Sequence, residues 1–256
     1  MKTLIILVIS FLSISNDAFS QKDTRQPLDN SNITINQEEL FDKNRQRKIP
    51  VAYISDGDNK ENVPQKVVII SHGYGQNEGG DLLKYSYLTN FLARKGYFVV
   101  SIQHELPDDE LLAMEGNFME TRMPNWKRGM ENIHFVLHYL KEKHPNLDYN
   151  SVTLIGHSNG GDMSVLFAHK YPRLAHKIIS LDNRRMPLPR TSEPRIFTIR
   201  SNDYPADDGV LPNKEEALKY QIAIQFVDVN HSSMDDDATE SERKTLLGFI
   251  EQYLNK

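Results

Sequence analysis

Short runs of consecutive apolar residues alternate along the chain with segments whose apolar residues recur every three or four positions. The apolar runs, typical of strands covered on both faces, lie at 67–70, 97–102, 151–155, 177–181, 196–199 and 222–229. The helical segments lie at 82–95, 124–144, 162–171, 214–219 and 242–254, the last with Thr239 and Glu242 placed for a capping box. This alternation predicts an α/β fold with a mostly parallel, doubly wound sheet and helices on both faces.

The chain before the first buried run has a different pattern. Ile49, Val51 and Tyr53 occupy alternate positions, so 41–59 predicts a strand pair with a turn at Asp56-Gly57. Residues 21–40 are polar, and we expect them to form a loose lead-in. A chain of this length is ordinary for one α/β domain, which we place at 41–256.

The first 20 residues resemble a secretory signal peptide. Lys2 precedes an apolar stretch, and Ala18-Phe19-Ser20 forms a small-x-small site, so we expect cleavage after Ser20 and a periplasmic or secreted protein. The stretch is too short to span a bilayer, and no membrane span is expected after its removal. The sequence contains no cysteine, which leaves no site for lipid attachment at a lipobox and no disulfide.

Charge excludes two classes of partner. The formal net charge is −5, and it stays there after signal removal because residues 1–20 contain one lysine and one aspartate. Such a balance gives no electrostatic basis for binding nucleic acid or an anionic membrane. We expect a monomer that acts on a small molecule.

The sequence GHSNGG at 156–161 matches the pattern G-x-S-x-G between a predicted strand and a predicted helix. In a nucleophile elbow the serine adopts a strained backbone conformation that exposes its Oγ, and glycines let strand and helix approach closely. Ser158 is therefore the candidate nucleophile. A second motif, HGYG at 72–75, follows the strand at 67–70. We expect the backbone N–H groups of Tyr74 and Asn159 to form an oxyanion hole.

A serine nucleophile needs a base, and the base needs an acid that orients it. Among nine histidines, His231 alone follows the last predicted strand and precedes the final helix, so it is the candidate base. Asp203, on the loop after the strand at 196–199, is the candidate acid. The alternatives are Asp207 and Asp208 on the same loop, and Asp182 at the end of the preceding strand.

The order of HGYG, GHSNGG, a late aspartate and a later histidine resembles the α/β-hydrolase family. The segment RQRKIPVAYISD is similar to the leading strands of its dienelactone-hydrolase-like and platelet-activating-factor-acetylhydrolase-like branch. The resemblance implies a Ser158-His231-Asp203 triad, an oxyanion hole at Tyr74 and Asn159, and no cofactor. One departure is Asn159, which stands where Met, Gln, Phe or Leu is frequent, although its backbone N–H is unaffected.

These features favour a serine hydrolase that cleaves a carboxylic ester through an acyl-enzyme. A peptidase or amidase with the same triad, or a catalytically silent binding protein with this fold, are the alternatives. No metal site is expected, because the His134 and His138 pair lacks the glutamate of H-E-x-x-H and a third ligand. The apolar segment 103–123 is either a cover for the pocket or an additional packed helix.

Overall fold

The computed structural model describes residues 32–57 and 63–256, which contain eight strands and six α-helices. The strands are β1 Ile33–Asp42, β2 Arg47–Asp56, β3 Lys66–Ser71, β4 Phe98–Ile102, β5 Asp148–His157, β6 Lys177–Leu181, β7 Arg195–Arg200 and β8 Ala223–Phe226. The helices are α1 Ser86–Arg94, α2 Phe118–Thr121, α3 Met123–Lys143, α4 Ser158–Lys170, α5 Lys214–Tyr220 and α6 Glu240–Leu254.

One sheet joins all eight strands in the order β1-β2-β4-β3-β5-β6-β7-β8. From β4 to β8 every neighbouring pair is parallel, whereas β1 and β2 run antiparallel at one edge. Each parallel pair needs a crossover, and helices provide most of the crossovers. The predicted mostly parallel α/β sheet is confirmed.

Two hydrophobic clusters cover the two faces of the sheet. Side chains alternate along a strand, so Val67 and Ile69 of β3 face one cluster while Val68 and Ile70 face the other. The first cluster contains buried residues of α3 and α4, and the second contains buried residues of α1 and α6. Helices therefore lie on both faces, as the apolar pattern predicts.

The N-terminal hairpin differs from its prediction. Residues 33–40, the last part of the lead-in expected at 21–40, belong to β1, and the turn lies at 43–46, before rather than after β2. The carboxylate of Asp42 accepts hydrogen bonds from the backbone of Asn44 and Arg45, which starts the turn there. Because β1 is a largely exposed edge strand held by backbone pairing with β2, its polar side chains conceal it in the sequence.

The other predicted helices and strands agree with the structure to within a few residues at their ends. The predicted capping box is present, since Thr239 and Glu242 each bond the other's backbone N–H at the start of α6. The helix expected from residue 82 begins instead with a 3-10 turn at Asp81–Leu83, and α1 starts at Ser86. The predicted signal peptide, 1–20, lies outside the described residues. Within the described residues, no helix has both the length and the hydropathy of a membrane span.

Candidate active site

Ser158 stands at the junction between β5 and α4, with a positive φ of 51°. A side chain at Gly156 would place its Cβ 2.3 Å from the carbonyl oxygen of Gly160, and one at Gly160 would lie 2.3 Å from those of Ser71 and His72. Glycine is therefore required at both positions for strand and helix to approach. The strained elbow expected from GHSNGG is present.

Ser158, His231 and a buried aspartate form a chain of hydrogen bonds. His231 Nε2 lies 3.0 Å from Ser158 Oγ, and His231 Nδ1 lies 2.6 Å from Asp182 Oδ2. A carboxylate only accepts, so Nδ1 carries the proton that it donates to Asp182. Nε2 is then the acceptor for the hydroxyl of Ser158.

The structure corrects the position of the acid. Asp203 was expected against the imidazole, but its Oδ1 accepts from the backbone N–H of His231 at 2.9 Å. The reason is the strand order: Asp182 follows β6, which lies beside the strand that carries Ser158, whereas Asp203 follows β7, one strand further away. Asp207 pairs instead with Arg184 and Arg185.

Asp182 is fully buried, at 0% exposure, and a buried carboxylate requires partners. Ser201 donates to it through both its hydroxyl, at 2.6 Å, and its backbone N–H, at 3.1 Å. The guanidinium of Arg200 lies 3.0 Å from Asp182 Oδ1. Burial alone would raise the pKa of Asp182, but the hydrogen bond from His231, the charge of Arg200 and the Ser201 hydroxyl outweigh it and lower the pKa.

A second chain of hydrogen bonds holds the turn at HGYG. The backbone N–H of Gly73 donates to the hydroxyl of Tyr85 at 3.0 Å, and that hydroxyl lies 2.7 Å from His157 Nδ1. His157 Nε2 donates to the backbone carbonyl of His231 at 3.0 Å. Donors and acceptors match throughout when His157 is neutral. Burial, and then the nearby charge of His231, lower the pKa of His157 to about 3, which keeps it neutral.

His72 fixes the direction of the Tyr74 N–H. His72 Nδ1 donates to the carbonyl of Gly73 at 2.6 Å, while Nε2 accepts the backbone N–H of His104 at 2.9 Å. Because a peptide unit is planar and trans, the Gly73 carbonyl and the Tyr74 N–H point in opposite directions. Fixing one therefore fixes the other. Within the described residues, the Tyr74 N–H has no protein acceptor.

The side chain of Asn159 is fully paired, a role that sequence reasoning missed. Its Nδ2 donates to Glu105 Oε1 and to Asn125 Oδ1, both at 2.9 Å, and its Oδ1 accepts from Trp126 Nε1 at 2.8 Å. Trp126 and Asn125 belong to α3, so these bonds join the first turn of α4 to α3. These hydrogen bonds give a physical reason for an asparagine after Ser158. In the sequence, the polar Asn125 next to Trp126 at the start of the predicted helix is the feature that could have indicated them.

Two cavities meet at Ser158. One, of about 250 Å³, is lined by the HGYG turn, His157 and His231, and by Asp81, Lys84 and Asp235. The other, of about 140 Å³, is lined by Tyr74, Asn159 and three arginines. Leu112 and Met114 also line the second cavity, and the backbone N–H of Leu112 donates to Tyr74 Oη at 3.0 Å. The segment 103–123 thus borders the pocket, and its movement as a lid stays a prediction.

No group of three or more His, Asp or Glu side chains in 32–57 and 63–256 is arranged to hold a metal ion. His134 and His138 lie on α3 with their Nε2 atoms 3.1 Å apart. Glu131 Oε2 lies 4.0 Å from His134 Nδ1, the ring nitrogen that does not contact His138.

Comparisons with known proteins agree with the fold and the elbow. The family described as serine aminopeptidase S33, Hydrolase_4, matches residues 62–181, a range that contains HGYG and GHSNGG and ends one residue before Asp182. An esterase from Rhizomucor miehei has a TM-score of 0.62 at 10% identity, over 87% of this chain and 83% of that one. A dienelactone hydrolase-like promiscuous phosphotriesterase from metagenomic libraries has a TM-score of 0.61 at 12% identity, over 88% and 98%.

A prolyl endopeptidase also shares the fold, with a TM-score of 0.57 at 12% identity, over 90% of this chain and 40% of that one. These low identities establish a common fold and no common substrate. No curated protein matches the sequence significantly. The chain has the α/β-hydrolase fold. Together with a serine at the elbow, the family match over 62–181 supports a serine hydrolase of this fold.

Proposed function

We propose that this serine hydrolase cleaves carboxylic esters through an acyl-enzyme on Ser158. The observation that carries the proposal is the continuous path from Ser158 Oγ through His231 to Asp182, with contacts of 3.0 and 2.6 Å. In this scheme His231 accepts the proton of the hydroxyl as Oγ attacks the ester carbonyl carbon, and it then returns that proton to the departing alkoxide. Asp182 orients the ring and stabilises its charged form.

The negative charge that develops on the carbonyl oxygen needs fixed donors. In the proposal these are the backbone N–H groups of Tyr74 and Asn159. The Tyr74 N–H is held through His72, and the Asn159 N–H lies in the first turn of α4, where a helix leaves its N–H groups without intrahelical acceptors. Two fixed N–H groups at such a position contribute about 3 to 4 kcal/mol each to stabilisation of the transition state.

Hydrolysis of the acyl-enzyme repeats the sequence with water. His231 takes a proton from water, the oxygen attacks the acyl carbon, and the proton passes to Ser158 Oγ as the acyl C–O bond breaks. The carboxylic acid leaves and the starting state of the three side chains returns. No cofactor takes part in the scheme.

A fluorophosphonate probe and p-nitrophenyl butyrate test the proposal. The wild type should be labelled and should hydrolyse the ester, whereas Ser158→Ala should lose labelling and about 10⁶-fold in kcat. Ser232→Ala is the matched control, because Ser232 lines the larger cavity at Ser158 but does not contact His231 Nε2. This variant should still be labelled by the probe. Labelling of Ser158→Ala, or faster cleavage of the matching p-nitroanilide than of the ester, would overturn the proposed esterase.

A further inference from the structure

The smaller cavity beside Ser158 has an unusual concentration of positive charge. Arg122, Arg184 and Arg185 all line this space of about 140 Å³ together with Ser158. Arg122 directly follows α2, and the other two follow Asp182 by two and three residues. Three guanidinium groups at one small cavity repel one another, so their placement requires an explanation.

Aromatic rings hold these guanidinium groups in place. The Phe118 ring contacts two of them, with its centroid 4.3 Å from Arg122 Cζ and 4.5 Å from Arg185 Cζ. The Tyr204 ring contacts Arg184 Cζ at 3.9 Å and lies 4.2 Å from the ring of His231. Contacts with aromatic faces favour cations and restrict their movement, so the cluster is organised before any ligand binds.

Protein carboxylates offset the cluster only in part. Asp207 pairs with both Arg184 and Arg185. Asp207 does not line the cavity, and Asp162, which does, accepts instead from the backbone N–H groups of Arg185 and Met186. Within the described residues Arg122 has no ion pair, and burial followed by the charge of Arg185 lowers its pKa. One positive charge therefore remains beyond what the two carboxylates offset.

Some N–H groups of these arginines have no hydrogen-bond acceptor in the described part of the protein. The Nε atoms of Arg184 and Arg185 are buried and, within the described residues, donate no hydrogen bond, although Arg184 Nε lies 3.7 Å from Asp207 Oδ1. A guanidinium offers parallel N–H donors whose spacing matches the two oxygens of a carboxylate. A carboxylate in this cavity would supply the missing charge and an acceptor for the guanidinium of Arg184, which donates no hydrogen bond within the described residues.

We propose that the substrate carries a carboxylate that binds among Arg122, Arg184 and Arg185 while its ester carbonyl lies at Ser158. The inference rests on the proposed function and narrows its substrate to esters with a free carboxylate in the acyl or the alcohol half. The larger cavity at Ser158 contains Asp81 and Asp235, and its one lysine, Lys84, pairs with Asp81. These acidic side chains disfavour a placement in which the substrate carboxylate enters the larger cavity.

Two pairs of esters test the inference. In the acyl half, p-nitrophenyl butyrate is compared with the mono-p-nitrophenyl ester of glutaric acid. In the alcohol half, phenyl butyrate is compared with the butyrate ester of 4-hydroxybenzoate. We expect kcat/KM to be at least about tenfold higher for the anionic member of one pair, because a charged hydrogen bond contributes about 1.5 to 3 kcal/mol. The preference should shrink at high ionic strength.

Arg184→Gln is the most informative variant, because Arg184 is half-buried and donates no hydrogen bond that holds the fold. It should lower the anionic-to-neutral ratio of kcat/KM about tenfold. Arg173→Gln removes an exposed arginine outside the cavity and should leave the ratio unchanged.

The outcomes separate the inference from the proposed function. The carboxylate site alone is overturned if the wild type hydrolyses neutral esters through Ser158 but shows no preference for the anionic esters. It is also overturned if Arg184→Gln lowers kcat/KM equally for the anionic and the neutral ester. Absence of ester hydrolysis by the wild type overturns the proposed function and the inference with it.

Discussion

Two neighbouring turns, after β6 and after β7, each bring a carboxylate to His231. Asp182, one residue after β6, bonds the imidazole, whereas Asp203, three residues after β7, bonds the backbone N–H. Asp182 is buried with Arg200 and Ser201 as partners, and Asp203 is exposed. The two acids contact the same residue in different environments.

This difference shows what an acid needs in order to orient a histidine. A buried carboxylate retains its full interaction with the ring because little water screens it, and the lowered pKa of Asp182 keeps it ionised. The exposed carboxylate of Asp203 is screened by solvent and acts on the position of the main chain. Asp182 and Asp203 therefore differ in their burial and in the atom of His231 that they contact. Their distance from His231 along the sequence does not explain the difference.

The largest effect is expected for Asp182→Asn. An amide facing Nδ1 stabilises the imidazole tautomer that carries its proton on Nε2, and this tautomer cannot accept the proton of Ser158. We expect kcat for p-nitrophenyl butyrate to fall about 10,000-fold, with near-normal secondary structure by circular dichroism.

Asp203→Asn is the matched control for that measurement, because its amide oxygen can still accept the His231 N–H. Its kcat should stay within about tenfold of the wild type. A loss in Asp203→Asn equal to that in Asp182→Asn would reject the assignment of the two acids.

The next largest effect concerns the stability that Arg200 gives to Asp182. The variant Arg200→Met leaves the buried carboxylate of Asp182 without its cation. We therefore expect the free energy of unfolding, measured in urea, to fall by about 3 to 5 kcal/mol. The double variant Arg200→Met with Asp182→Asn should lose less than the sum of the single losses, since the uncompensated charge is gone. Additive losses would show that the ion pair contributes little.

The smallest effect is expected for Asp203→Ala. The His231 N–H loses its acceptor but lies where water can replace it, so the free energy of unfolding should fall by only about 0.5 to 1.5 kcal/mol. Asp203→Asn should restore most of that loss. A loss in Asp203→Ala as large as that in Arg200→Met would mean that Asp203 supports the turn after β7 through more than this one bond.

Local pattern predicted much of this architecture. Continuous apolar runs identified the buried parallel strands, and the glycines around Ser158 identified the elbow, because both depend on neighbours along the chain. The same reasoning failed for β1, whose polar run at 36–39 contains no apolar residue and whose backbone is paired by β2. It also placed the hairpin turn after Ser55 instead of after Asp42.

The sequence by itself determined the fold class, the candidate nucleophile and the candidate base, since strand period, turn geometry and order along the chain are local properties. The tertiary structure decided which aspartate meets the imidazole, why Asn159 follows the serine, and that three arginines share one cavity. Those facts depend on which strands and helices become neighbours in space. Strand order and side-chain burial set those neighbours. Both depend on contacts between residues far apart in the chain, so the local sequence pattern does not contain them.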